Sequence, residues 1–192
     1  MNRRHLPLTL AGLLLAATAA RSTTVIPPSF EALVSGANTI FVGEVMNVRS
    51  VWEATPDGRA IVTLVTFRVE DVWKGQVGTV TQLEFLGGTV GDTTMVISGM
   101  PTFRIGQRDL LFVSPTARSV SPLVGFMYGR MRVERDTASK VDRVRTYDGQ
   151  ALGSVAQIGP QRATPSLSSV TPMTLADLEA AVRARASSQR PR

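Results

Sequence analysis

Alternation of apolar and polar positions is clearest between Ala60 and Asp71. Ile61, Thr63, Val65, Phe67 and Val69 alternate with Val62, Leu64, Thr66, Arg68 and Glu70. A period of two predicts a strand, and the second set turns polar after Leu64, so one face leaves the core partway along. Upstream, TIFVGEVMNVRSVW from Thr39 is rich in Ile, Phe and Val and predicts a long strand with a bend at Gly43. Pro56-Asp57-Gly58 between the two predicts a turn. Further strands are predicted at Val80–Leu86, Thr93–Ser98, Asp109–Val113, Leu123–Tyr128, Arg130–Arg135 and Val141–Tyr147. Short strands separated by Gly, Pro, Asp and Ser predict an all-β sandwich or barrel.

The period changes at both ends of this region. Ser29 can cap a short helix that presents Phe30, Leu33 and Val34 on one face and stops at Gly36. Thr174 and Asp177 form a T-x-x-D capping box ahead of Leu175, Leu178 and Val182, and Arg183 and Arg185 suit the carboxyl end. Between Gln150 and Thr171 the chain is rich in Pro, Ser, Gly, Gln and Thr, the composition of a linker or loosely packed arm. The resulting organisation is a β-domain over residues 29–148, a linker over 149–172, a helix over 173–186 and a disordered tail over 187–192.

Residues 1–20 are set apart. Arg3 and Arg4 precede an apolar run from Leu6 to Ala20, and Ala17-Thr18-Ala19 has the A-x-A form of a cleavage site. This is the anatomy of a secretory signal peptide. The alternative is an uncleaved anchor, but the run is shorter than the roughly 20 apolar residues of a spanning helix. The chain contains no cysteine, so no disulfide staples the domain and no thiol follows the apolar run to take a lipid. An exported protein without cysteine points to a bacterial, periplasmic or secreted setting. Net charge is +6, and loss of Arg3 and Arg4 lowers it to +4. This excess acts on solubility and loose polyanion attraction, and no nucleic-acid partner is expected outside the cell.

Candidate chemistry narrows quickly. LGGTVG, Leu86 to Gly91, is glycine-rich, yet it lacks the Lys-Ser/Thr of a P-loop and the G-x-G-x-x-G spacing. The residues after it predict a strand rather than a phosphate-binding helix. A turn between strands explains the glycines. The only histidine is His5, within the signal segment. Ser-His-Asp and Cys-His sites, and the usual zinc and copper ligand sets, are therefore closed to the mature chain. No D-x-D-x-D-G calcium loop is present. Neither a cofactor nor a metal site is expected. Carboxylate pairs, a Ser-Lys dyad or a tyrosine with arginines remain as catalytic options. Glu44 and Glu84 are the candidate barrel-lining acids, each also placed to pair with an arginine. Lys74, in a turn beside Trp73, suits a solvated lysine better than a buried base.

The other feature is an arginine-bearing hairpin. Alternation puts Arg130 and Arg132 on one face of its first arm, and Arg143 and Arg145 on one face of its second. These four residues are the candidate binding residues, a platform for an anionic partner such as a surface polysaccharide, a lipid head group or an acidic protein. The plainer reading is a solvated hairpin whose arginines pair with Glu134, Asp136 and Asp142.

The order of TIFVGEV, VTFRVEDVWKG, LGGTVG, SGMPTFRIGQRDLLFV and VGFMYGRMRV resembles a group of exported bacterial proteins with no assigned activity. The resemblance runs from Phe30 to Tyr147. It implies an oligonucleotide/oligosaccharide-binding (OB) type of barrel, similar to netrin-like domains and tissue inhibitors of metalloproteinases. Those inhibitors act through an N-terminal cysteine, which this chain lacks, so the mechanism does not transfer with the resemblance. The expectation is an exported, non-enzymatic binding module whose partner is a protein, a protease among them, or a surface polymer. The alternatives are an envelope hydrolase acting on glycans through two carboxylates, and a structural envelope component retained by the C-terminal helix and basic tail.

Overall fold

The computed structural model describes residues 26–56, 58–114, 120–160 and 170–188. The signal-peptide reading of 1–20 lies outside them, as do Asp57 of the predicted turn and residues 189–192 of the tail. The chain is mostly sheet. Strands β1 (Thr39–Thr55), β2 (Gly58–Lys74), β3 (Val80–Leu86), β6 (Arg108–Val113), β7 (Arg130–Arg135) and β8 (Asp142–Thr146) form one antiparallel sheet. Their order is β3-β2-β1-β6-β7-β8, and β4 (Gly88–Val90) pairs with β5 (Thr93–Met95) in a separate two-stranded sheet. The six-stranded sheet is open among the described residues; no closed barrel is found.

Both predicted helices form with the expected caps. In α1 (Phe30–Gly36) the Ser29 hydroxyl accepts from the Ala32 amide, and in α2 (Leu175–Ser187) the Thr174 hydroxyl accepts from the Asp177 amide. They cover one face of the sheet. Phe30, Leu33, Val34, Leu178 and Val182 pack there with Ile40, Val42, Leu110, Phe112, Met131, Val133 and Val144. Leu152, in the segment whose composition suggests a linker, is buried in the same core. The opposite face gathers Phe41, Val45, Val65, Phe67, Leu83, Phe85 and Leu111, roofed by Met100 and Phe103.

A strict period of two would send Val45 and Val48 to opposite faces. A register shift between Val45 and Asn47 inserts one extra residue, and both valines pack on the second cluster. Such a bulge bends the strand and increases its twist. A second shift, between Val42 and Gly43, falls at the glycine expected to bend the strand, where a Cβ would lie 3.1 Å from the Arg68 carbonyl.

Two expectations need correction. Leu123–Tyr128 is not a strand. Leu123 makes one isolated bridge to Val113, and Phe126–Gly129 is a 3-10 helix. Gly125 and Phe126 are consecutive residues in the left-handed region, which turns the chain out of an extended path, and the Tyr128 amide closes the turn on the Gly125 carbonyl. The strand expected at Thr93–Ser98 ends at Met95, because its only partner, β4, is three residues long.

Candidate functional site

The four arginines do not form a free cationic platform. Arg130 is 2% exposed, and its Nε donates to Asp109 at 2.9 Å, itself fully buried. Its Nη1 donates to the Thr102 carbonyl at 2.5 Å, and its guanidinium lies 4.5 Å over the Phe103 ring. Arg132 sits directly opposite Arg145 in the register and beside Asp109, and its Nε is enclosed without a partner among the described residues. Arg143 donates to Asp136 at 3.2 Å and to the Pro172 carbonyl at 2.6 Å. Arg145 donates to Glu134 at 2.6 Å. Arg143 and Arg145 pair with acids of the hairpin, close to the plainer of the two expectations, while Arg132 faces Arg145 and Arg130 and Asp109 belong to the interior.

Electrostatics follow this pairing. Burial pushes the Asp109 carboxyl above its usual range, against the pull of Arg130 and then Arg132. Backbone amides of Ser139 and Ala138, and then Arg143, hold Asp136 below its usual range. Burial works against ionisation of Asp142, but hydrogen bonds from Arg135 and Arg108 outweigh it and hold that carboxyl low. Glu44 pairs with Arg68, and Glu84 lies on an exposed position of β3 rather than lining an interior. Lys74 donates to the Val34 carbonyl at 2.6 Å, tying β2 to the end of α1, and its partial burial lowers its pKa.

The glycine stretch turns out to build a cleft. β4 and β5 are joined through Gly91, whose φ of +58° is the left-handed value that a tight hairpin wants. Gly88 packs against β1 and β2 so closely that a Cβ would lie 2.3 Å from Ser50 Oγ and 2.4 Å from Thr63 Oγ1. The two hydroxyls share a 2.9 Å hydrogen bond, and Thr63 donates to the Gly87 carbonyl at 2.7 Å. Between this corner and the loop through Met100 and Phe103 lies a cleft of about 430 Å³, on the second-cluster side of the sheet. Val48, Phe85 and Phe103 supply apolar walls, Ser50 and Thr94 supply hydroxyls, and no charged side chain among the described residues lines it. Val96 on its rim is 83% exposed. A smaller cavity of about 200 Å³ lies between Tyr128, Tyr147, Pro28 and Pro160.

Of this cleft, sequence reasoning identified the glycine turn but not the pocket. Thr63 was the available signal, a hydroxyl in an otherwise apolar series. Asp109, heading the apolar run DLLFV, was the corresponding signal for the buried pair. Among the described residues no group of three or more His, Cys, Asp or Glu is placed to hold a metal ion. Compared with known proteins, the chain matches no family model, no curated protein and no solved structure.

Proposed function

We propose that this chain is an exported, non-enzymatic binding module, and that it receives an uncharged, apolar-sided segment of a partner protein in the cleft between the Ser50–Thr63 corner and Phe103. The observation that carries the reading is the character of that cleft. It combines apolar walls with hydroxyls, and no charged side chain among the described residues lines it. A protein partner fits better than an anionic polymer, because Arg143 and Arg145 are already paired and Arg130 is buried. The OB-type fold belongs to the same proposal. It is supported by the β1-β2-β3 meander, by the bulged β1, and by the bond from the Leu86 amide to the Val120 carbonyl, which ties the edge of β3 to the loop leaving β6.

The hydrolase reading asks for two acids converging in a cleft with separated pKa values. Glu134 and Asp136 do share a groove, but each is held by an arginine, and Asp136 stays ionised. That arrangement suits structure better than proton transfer. The test is recovery of a partner from the native envelope or culture fluid, using wild type and Val96→Asp. Capture by wild type and loss with Val96→Asp is expected. Equal capture by both would remove the cleft from the proposal, and turnover of a glycan abolished by changing one acid would replace it.

A further inference from the structure

The outer edge of β1 is unpartnered over much of its length. β6 pairs with β1 only from Thr39 to Glu44, and the Val45 amide and carbonyl make the last bonds on that side, to Gln107 and Gly106. From Asn47 to Thr55, β1 pairs with β2 alone among the described residues. Such an edge offers a row of unpaired amides and carbonyls to another strand. Met46 and Trp52 stand exposed along it.

Charge identifies what fits there. Arg49 and Glu53 lie two residues either side of Val51, both are exposed, and no ion pair among the described residues holds either. An antiparallel copy of the same edge, centred on Val51, sets each Arg49 opposite the second copy's Glu53, twice over. Centring the pair on Ser50 or Trp52 instead leaves both charges opposite uncharged residues. Cross-strand opposite charges stabilise a pair and like charges oppose it. The backbone agrees with this register. The extra residue at Met46 passes the outward-bonding role from Val45 to Val48, Ser50, Trp52 and Ala54. Ser50 and Trp52 of one copy then bond Trp52 and Ser50 of the other, and the two Val51 residues meet directly.

We infer that the free edge of β1, Asn47–Thr55, is a self-complementary interface on which a second copy of this chain pairs antiparallel about Val51. The interface is isologous, so it closes at two copies and does not propagate. It goes beyond the binding proposal and does not depend on it. Pairing in this register would also bring Val48 and Ser50 of the two clefts onto one continuous sheet face.

Sedimentation of the purified protein across a concentration series tests it. A reversible dimer is expected, with a dissociation constant on the order of micromolar for so small an interface. Arg49→Glu alone and Glu53→Arg alone should each weaken it by roughly tenfold or more, since each creates like charges opposite one another. The double reversal, and an equimolar mixture of the two single variants, should restore pairing. Because the chain has no cysteine, Val51→Cys introduces the only thiol. Directly opposed Cα atoms at about 4.5–5.5 Å suit a disulfide, so oxidation should give a covalent dimer. A wild type monomeric at all concentrations, a dimer indifferent to the reversals, or a Val51→Cys variant that stays monomeric on oxidation would each overturn the proposal.

Discussion

Asp109 and Arg130 show how one pair can carry a large share of local order. Each is buried, and removing one partner strands the other's charge in the interior. Asp109→Asn is expected to cost about 3–5 kcal/mol, measured as a shift in urea unfolding. Asp109→Leu with Arg130→Met should recover most of that loss, because apolar replacement of both ions removes their desolvation penalty. A single variant as stable as wild type would show that the pair is not buried as described. Alternation along β7 placed Arg130 on the correct side of the strand, but not under cover. What covers it is the loop through Thr102 and Phe103, whose path depends on contacts far away in sequence. Period-two patterning carries no information about such a roof.

At the level of elements, local signals were most legible where the cause is local. The caps of α1 and α2 need only Ser29 and Thr174 with the amides three residues on, and both appear as the pattern implies. Thr174→Ala is expected to lower stability by about 1 kcal/mol. Leu178→Ala, which empties a fully buried position between α2 and the sheet, should cost about 2–5 kcal/mol. Comparison of the two melting curves checks that packing outweighs capping in holding this helix. Leu123–Tyr128 failed as a strand because its apolar residues mimic the pattern while Gly125 breaks the backbone. The glycine corner was legible as a turn and illegible as a wall of a cleft. Gly88→Ala should separate those roles. Its φ of +135° and the 2.3 Å approach to Ser50 leave no space for a methyl group, so the β4–β5 hairpin must move, with a loss of about 1–3 kcal/mol. Hydrogen exchange faster at β4 and β5 than at β7 would locate the damage there; uniform destabilisation would count against the corner as the cause.

For the molecule as a whole, the two-faced sheet puts charge pairs around its margin and one pair inside it, and these titrate in opposite senses. Asp136 and Asp142 have depressed pKa values in the folded protein. Their contribution is therefore present above the unfolded carboxylate value of about 3.9 and is lost as pH falls through the folded values. Asp109 is raised. Its contribution is present below the unfolded value and is lost as pH rises through the folded one, so it opposes the other two. Asp136 is open to solvent, so its share is screened, and the acid limb should be shallow. Unfolding midpoints in urea from pH 7 to pH 3 are expected to fall below about pH 4. In Asp136→Asn and Asp142→Asn variants that fall should be smaller. In the Asp109→Leu, Arg130→Met variant the fall below about pH 4 should be unchanged, and the gain that a raised carboxyl gives on acidifying from pH 7 to about pH 4 should be absent. A wild type whose stability is flat from pH 7 to about pH 4 would mean that the Asp109 carboxyl is not raised in the folded protein, and that the interior pair is held as an ordinary salt bridge.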